Sequence, residues 1–152
     1  MEIERKFLVT RLPENLSDYA YHNIEQAYLC TDPVVRIRRQ DEEYYLTYKG
    51  RGMMVREEYN LPLTKAAYLH LKEKADGNIV SKKRVLIPLE GNLKAELDLF
   101  YSPLPDLVIA EVEFPDEESA NSFQPPSWFG QDVTFDSHYH NSYLSTVTVK
   151  EP

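Results

Sequence analysis

Apolar and charged positions alternate with a period of two along most of this chain. Glu2, Glu4 and Lys6 alternate with Ile3 and Phe7, interrupted only by Arg5. Arg36 and Arg38 flank Ile37, and Lys49 ends the run Tyr44–Tyr48. Arg56 and Glu58 precede Tyr59 and Leu61, and Lys82 and Arg84 precede Val85 and Ile87. Glu96 and Asp98 alternate with Ala95, Leu97 and Leu99, as Glu111 and Glu113 do with Ala110, Val112 and Phe114. A period of two puts each charged pair on one face of a strand. Turn chemistry separates the runs at Thr31-Asp32-Pro33, Gly50-Arg51-Gly52, Glu90-Gly91-Asn92 and Ser102-Pro103-Leu104-Pro105. Glu90-Gly91-Asn92 joins two such runs and reads as a hairpin. Thr64 caps a predicted helix over 65–75 that Gly77 stops, and Asp116 opens a short acidic turn through Phe123. Asp136 caps a last helix through about Leu144, and a weaker helix is expected near 15–22. Roughly seven or eight strands with few helices predict a closed or nearly closed antiparallel sheet.

Composition narrows the class. A chain of 152 residues suits one domain with a real core. Cys30 is the one cysteine, which excludes an internal disulfide framework and a zinc ribbon. The opening Met1-Glu2-Ile3-Glu4 has no basic or apolar leader region, and runs such as Leu107–Ala110 are too short to span a bilayer. The expectation is a cytoplasmic enzyme or binding module without a membrane partner. The net charge of −8 argues against general nucleic-acid binding.

An antiparallel sheet with one solvated face explains simple alternation. The sorting of signs points elsewhere. A solvated face mixes charges, because like charges side by side cost stability. Here Arg36/Arg38 and Lys82/Arg84 are wholly basic, while Glu96/Asp98 and Glu111/Glu113 are wholly acidic. The basic groups of these runs (Lys6, Arg36, Arg38, Lys49, Arg56, Lys82, Arg84) equal the acidic ones (Glu2, Glu4, Glu58, Glu96, Asp98, Glu111, Glu113) in number. Gathered inside a barrel, they form a near-neutral set and leave the net −8 outside. Clustered carboxylates suit hard divalent cations such as Mg²⁺ and Mn²⁺. Arginine forks match phosphate oxygens, and lysine supplies a point charge. Together they describe phosphoryl transfer, in which positioning and electrostatic stabilisation do most of the catalysis.

The opening Glu2-x-Glu4-x-Lys6 resembles that of the CYTH superfamily, the triphosphate tunnel metalloenzymes. Further family elements follow in order: Gln26-Ala27-Tyr28-Leu29, Arg36-x-Arg38, Lys49, Arg56-x-Glu58, Lys82-x-Arg84, Glu96-x-Asp98 and Glu111-x-Glu113. Pro125–Gly130 and Asp136-x-x-Tyr139-x-Asn141 are similar to short bacterial members. The resemblance implies an α+β fold: an eight-stranded antiparallel β-barrel, closed or partly open as a tunnel, with a few peripheral helices, as a single domain over 1–148 with a tail at 149–152. It implies metal-dependent hydrolysis of inorganic triphosphate, with a small triphosphorylated substrate and Mg²⁺ or Mn²⁺. Alternatives are a class IV-type adenylyl cyclase, a nucleoside or thiamine triphosphatase, and a non-catalytic polyphosphate or nucleotide binder. By the same resemblance Glu2, Glu4, Glu111 and Glu113 are metal ligands, with Glu58, Glu96 and Asp98 supporting. Arg36, Arg38, Lys49, Arg56, Lys82, Arg84 and Lys6 grip phosphates. Lys6, Glu4 and Glu111 are the catalytic set, with Lys6 orienting water or stabilising the leaving group.

The chain departs from the family pattern at two places. Asn60 replaces the last acid of Arg-x-Glu-x-Glu, and Ser137 and His138 stand where relatives carry basic residues, with His140 just after Tyr139. One acidic and one permanently cationic contact are therefore expected to be missing. A phosphate contact by His138 is one reading of that segment, and a histidine metal site a weaker one, because i and i+2 on a helix face different ways. Cys30 is expected to be a small buried hydrophobe, Trp128 and Phe129 a hydrophobic plug or lid, and Tyr28 either a tunnel-mouth or a packing residue.

Overall fold

The computed structural model describes residues 1–101, 104 and 106–146. Ser102, Pro103 and Pro105 of one predicted turn, and the expected 149–152 tail, lie outside the described residues. The strands are β1 (Glu2–Val9), β2 (Tyr21–Thr31), β3 (Val34–Gln40), β4 (Glu43–Lys49), β5 (Val55–Arg56), β6 (Glu58–Pro62), β7 (Asp76–Pro88), β8 (Lys94–Phe100), β9 (Val108–Glu113) and β10 (Phe129–Asp132). The helices are α1 (Lys65–Lys72), α2 (Glu117–Ser122) and α3 (Asn141–Leu144). All described helices are too short to cross a membrane.

One antiparallel sheet runs β10-β1-β9-β8-β7-β2-β3-β4-β6, and β5 returns to pair with β1. That return nearly closes the sheet into a barrel, through Glu2 opposite Arg56 and Ile3 opposite Val55. The strand count is ten rather than the expected eight. Two local events account for the difference. The ladder breaks at Glu57, so that β6 pairs with β4 while β5 changes partner to β1. The edge of β1 beyond β5 is then taken by β10, with Phe7 opposite Asp132, and Lys6 N–H donating to Thr134 Oγ1 at 3.0 Å.

The alternation does what the sequence predicts. Ile37, Leu97 and Val112 turn outward into apolar contacts and are fully buried there. Phe7, Val85, Leu97, Ala110, Val112, Phe114 and Phe129 pack with Ala120 of α2, and Phe123 and Trp128 pack against this layer, with Trp128 edge-on to Phe129. Ala27 and Ile37 pack beneath Tyr68 of α1. Each large aliphatic or phenylalanine side chain removed from water here stabilises the fold by about 1.5–3 kcal/mol. α1 and α2 cover outer apolar faces, while α3 brings Asn141 to the interior residues Gln26 and Lys82.

Several local expectations are corrected. Thr64 caps α1 by accepting from Ala67 N–H, but the helix ends at Lys72, and Gly77 belongs to β7. There φ is +68°, and a Cβ would stand 2.4 Å from the Ser145 carbonyl oxygen, so the site requires glycine. The weak helix near 15–22 reduces to a 3₁₀ turn at Leu16–Asp18. The last helix is split into a 3₁₀ turn, Ser137–Tyr139, and α3, because His140 is extended. Cys30 is exposed, because a register shift between Tyr28 and Cys30 breaks the alternation of β2 against β3.

Candidate active site

The inward faces enclose a cavity of about 330 Å³. Its walls are sorted by sign. Arg36 and Arg38 of β3, Lys49 of β4 and Arg56 of β5 line one side, with Glu58 and Asn60 of β6. Glu2, Glu4 and Lys6 of β1, Glu96 of β8 and Glu111 and Glu113 of β9 line the other. The ladder explains the acidic crowding: Glu4 faces Glu113, Lys6 faces Glu111, and Glu96 faces Glu111 across neighbouring strands. Arg84 of β7 lies between the walls, and Tyr28, both buried and lining, completes the basic side.

Arg84 is the most heavily bonded group. Its Nε and Nη2 donate to the two oxygens of Asp98 at 2.8 and 2.9 Å, Nη1 donates to Glu96 at 2.9 Å, and Nη2 reaches Glu111 at 3.3 Å. Lys82 and Asp98 do not line the cavity. They form a fully buried pair at 2.7 Å beneath α3, where Lys82 Nζ also donates to Asn141 Oδ1 at 3.0 Å. Lys49 donates to both oxygens of Glu2, and Lys6 lies 3.4 Å from Glu111.

Burial and neighbours set the charge states apart. Burial raises Glu111, but Lys6, Arg84 and Lys82 outweigh it and hold the carboxyl well below its ordinary value. Glu4 is pushed up to about 7, by burial first and by Glu111 next. Glu2 is raised by burial and by its contact with Glu58, and Glu113 by burial and the charges of Glu2 and Glu96. The acidic wall therefore carries more carboxylate than its cations balance, which is the condition a divalent cation relieves. Among the described residues no group of three or more carboxylate, histidine or cysteine side chains is already arranged to hold a metal ion. On the basic side, burial and the charges of Arg36 and Arg84 lower Arg38 to about 9.

The structure brings the remaining predicted residues together and adds others. Gln26 is fully buried; its Oε1 accepts from Arg38 at 2.7 and 3.1 Å, and its Nε2 donates to Asn141 Oδ1 at 2.9 Å. Thr47, also buried, joins Arg36 to Asn60. Both lie on the inward parity of their strands, and that parity was the available signal. His140, Asn141 and Ser142 line the cavity. His138 is exposed instead, paired with Asp136 and set edge-on to Tyr143. Burial, Lys6 and Arg56 lower His140 to about 4, so it is neutral at pH 7.

Comparison with known proteins agrees with this geometry. The CYTH domain model matches residues 1–119. An inorganic triphosphatase of Nitrosomonas europaea is 37% identical over 147 residues, covering 95% of this chain and 96% of that protein. An inorganic triphosphatase of Acetivibrio thermocellus is 33% identical, covering 99% of this chain and 94% of that one. The crystal structure of the inorganic triphosphatase NE1496 superposes with a TM-score of 0.73 at 35% identity, covering 97% of this chain and 96% of that one. With a nearly closed barrel, a sorted charged interior and these relatives, the chain belongs to the CYTH domain family.

Proposed function

We propose that this protein hydrolyses inorganic triphosphate inside its barrel, as a phosphoanhydride hydrolase assisted by Mg²⁺ or Mn²⁺. One observation carries the reading: a cavity with arginines on one wall, carboxylates on the other, and Lys6 set among the acids. Arg36, Arg38, Lys49 and Arg56 bind and orient the phosphate chain, and Arg84 ties that grip to the acidic wall. Glu4 and Glu111, with Glu2 and Glu113, hold the cation, which when bound offsets phosphate charge and promotes ionisation of water. Lys6, paired with the ionised Glu111, keeps its proton and stabilises charge developing on the leaving phosphate oxygen. Glu4 accepts a proton from the attacking water. Lys82 and Asp98 act from beneath, by fixing Arg84.

A nucleotide-specific reading has less support. Among the lining side chains only Tyr28 and Val34 are largely apolar, which gives an adenine ring little to stack against. Phosphate release should therefore be faster from tripolyphosphate than from ATP. It should be poor from pyrophosphate, which spans fewer basic side chains, and absent with EDTA. A colorimetric phosphate assay across the three substrates checks this; cyclic AMP as the main product from ATP would replace the proposal with a cyclase.

A pH dependence follows from Glu4. Its carboxyl titrates near 7 in the metal-free protein, and a ligand carboxylate must be ionised. Apparent Mg²⁺ affinity should strengthen as pH rises to about 7, by up to about ten-fold per unit, and level off above it. Calorimetry in two buffers of different ionisation enthalpy should register a released proton at pH 6 that Glu4→Gln abolishes. The same release in the variant would remove Glu4 from this role.

A further inference from the structure

Beside the charged residues of the basic wall stand two neutral ones that the charge pattern leaves unexplained. Arg36 lines the cavity and is buried. Among the described residues its guanidinium has one hydrogen-bond partner, Thr47 Oγ1, which accepts from Nη2 at 3.3 Å; Nε is buried without any. A guanidinium can only donate. Thr47 therefore accepts from Arg36 and sends its own proton onward, to Asn60 Oδ1 at 2.6 Å. That fixes the Asn60 amide. With its oxygen turned to Thr47, Nδ2 faces Glu58 and donates to Oε1 at 3.3 Å. The backbone brings these groups level, since Arg36 faces Thr47 across β3 and β4, and Thr47 faces Asn60 across β4 and β6.

We infer that Thr47 and Asn60 are positioning residues for the substrate: a strut that holds the Arg36 guanidinium at one end and the Glu58 carboxylate at the other. The inference rests on the triphosphatase reading and assigns a role within that site. Thr47 is the sole side-chain anchor of Arg36 among the described residues, so its hydroxyl sets where that cation meets a phosphate. An amide suits position 60 because it accepts and donates at once. A carboxylate there accepts from Thr47 but has nothing to donate to Glu58, and adds a second anion beside it. The substitution of Asn60 for the family acid thus keeps the strut intact and leaves the basic wall more positive.

The test compares Thr47→Val, Thr47→Ser and Asn60→Asp with the parent. It measures steady-state hydrolysis of tripolyphosphate at saturating Mg²⁺ and calorimetric binding of tripolyphosphate in EDTA, with melting curves to confirm folding. Thr47→Val should raise KM about ten-fold with little change in kcat, the size expected for a lost hydrogen bond to a charged group. Thr47→Ser should restore the parent KM. Asn60→Asp, at an exposed position, should raise KM and weaken binding in EDTA to a similar degree. Parent-like KM and affinity in folded Thr47→Val and Asn60→Asp would overturn the strut. Equal impairment of Thr47→Ser and Thr47→Val would also overturn it, since the methyl group would then be what matters. If Thr47→Val does not fold, Asn60→Asp decides by the same criterion. A parent that releases no phosphate from tripolyphosphate would fail the functional reading instead, and the binding arm would still decide on the strut.

Discussion

Arg84→Met should cost more than any other single change in the cavity, in stability and in turnover together. The side chain is buried, and its five-donor fork serves Asp98, Glu96 and Glu111 at once. Methionine fills similar volume without a charge. Lys82 still faces Asp98 at 2.7 Å, but Glu96 loses its ion pair, and Glu111 keeps Lys6 as its remaining direct ion pair among the described residues. Breaking a buried pair by removing one partner typically costs about 3–5 kcal/mol, because the other charge stays buried. For a chain of this length that corresponds to a fall in Tm of roughly 6–20 °C. Turnover should drop by about a hundred-fold or more even well below the melting point, as when a preorganised electrostatic contact is lost. Arg84→Lys separates the two effects. Its point charge should recover part of the stability, yet it cannot reach three carboxylates in the planar geometry of the fork, so turnover should stay low. Differential scanning calorimetry and phosphate release on both variants make the comparison. A folded Arg84→Met with the parent's Tm would show that the network is not what holds this part of the barrel.

The network also shows what could be read in advance and what could not. Period-two alternation was enough to send Arg36, Arg38, Glu111 and Glu113 to one cavity and Ile37, Leu97 and Val112 to the outer layer, because register fixes the face of every residue in a strand. It could not show that Lys82 and Asp98 meet beneath α3 instead of lining the cavity, since that depends on a helix folding back from the end of the described chain. The break at Glu57 was hidden for a similar reason. It follows from an exchange of partners between β4 and β1, which are distant in sequence. Cys30 was misplaced by a bulge that alternation alone does not announce. The histidines were distinguished by one extended residue: with φ −72° and ψ 139°, His140 turns into the cavity while His138 stays outside. Thr47 and Gln26 were legible in principle. Thr47 shares the parity of Lys49 but carries no charge to mark it, and Gln26, within the family element Gln26-Ala27-Tyr28-Leu29, shares the parity of Tyr28 without a charge that assigns it a role.

Glu111→Gln should divide metal binding from phosphate grip. Glu111 is ionised at any working pH, held so by Lys6, Arg84 and Lys82 against burial. Its charge is also the second cause, after burial, of the rise in Glu4. The amide keeps the shape and removes the charge, with three consequences. The metal concentration needed for half-maximal activity should rise, and high Mg²⁺ or Mn²⁺ should recover part of the rate. The rate at parent metal levels should fall by about a hundred- to a thousand-fold, the range for one lost preorganised contact. Glu4, relieved of its neighbour's repulsion, should titrate lower, so that proton release on metal binding moves to more acidic pH. Arg36→Ala gives the contrast. It should weaken tripolyphosphate binding and turnover, and extra metal should not restore them, because in the proposed site the lost group faces the phosphate and not the metal. The measurement is activity against metal concentration for both variants at two pH values, with circular dichroism to confirm folding. A folded Glu111→Gln that keeps the parent's rate and metal dependence would remove the β9 carboxylate from the metal side. The cation would then have to be held by Glu2 and Glu4 of β1, while Glu4, relieved of the Glu111 charge, would still titrate lower in the variant.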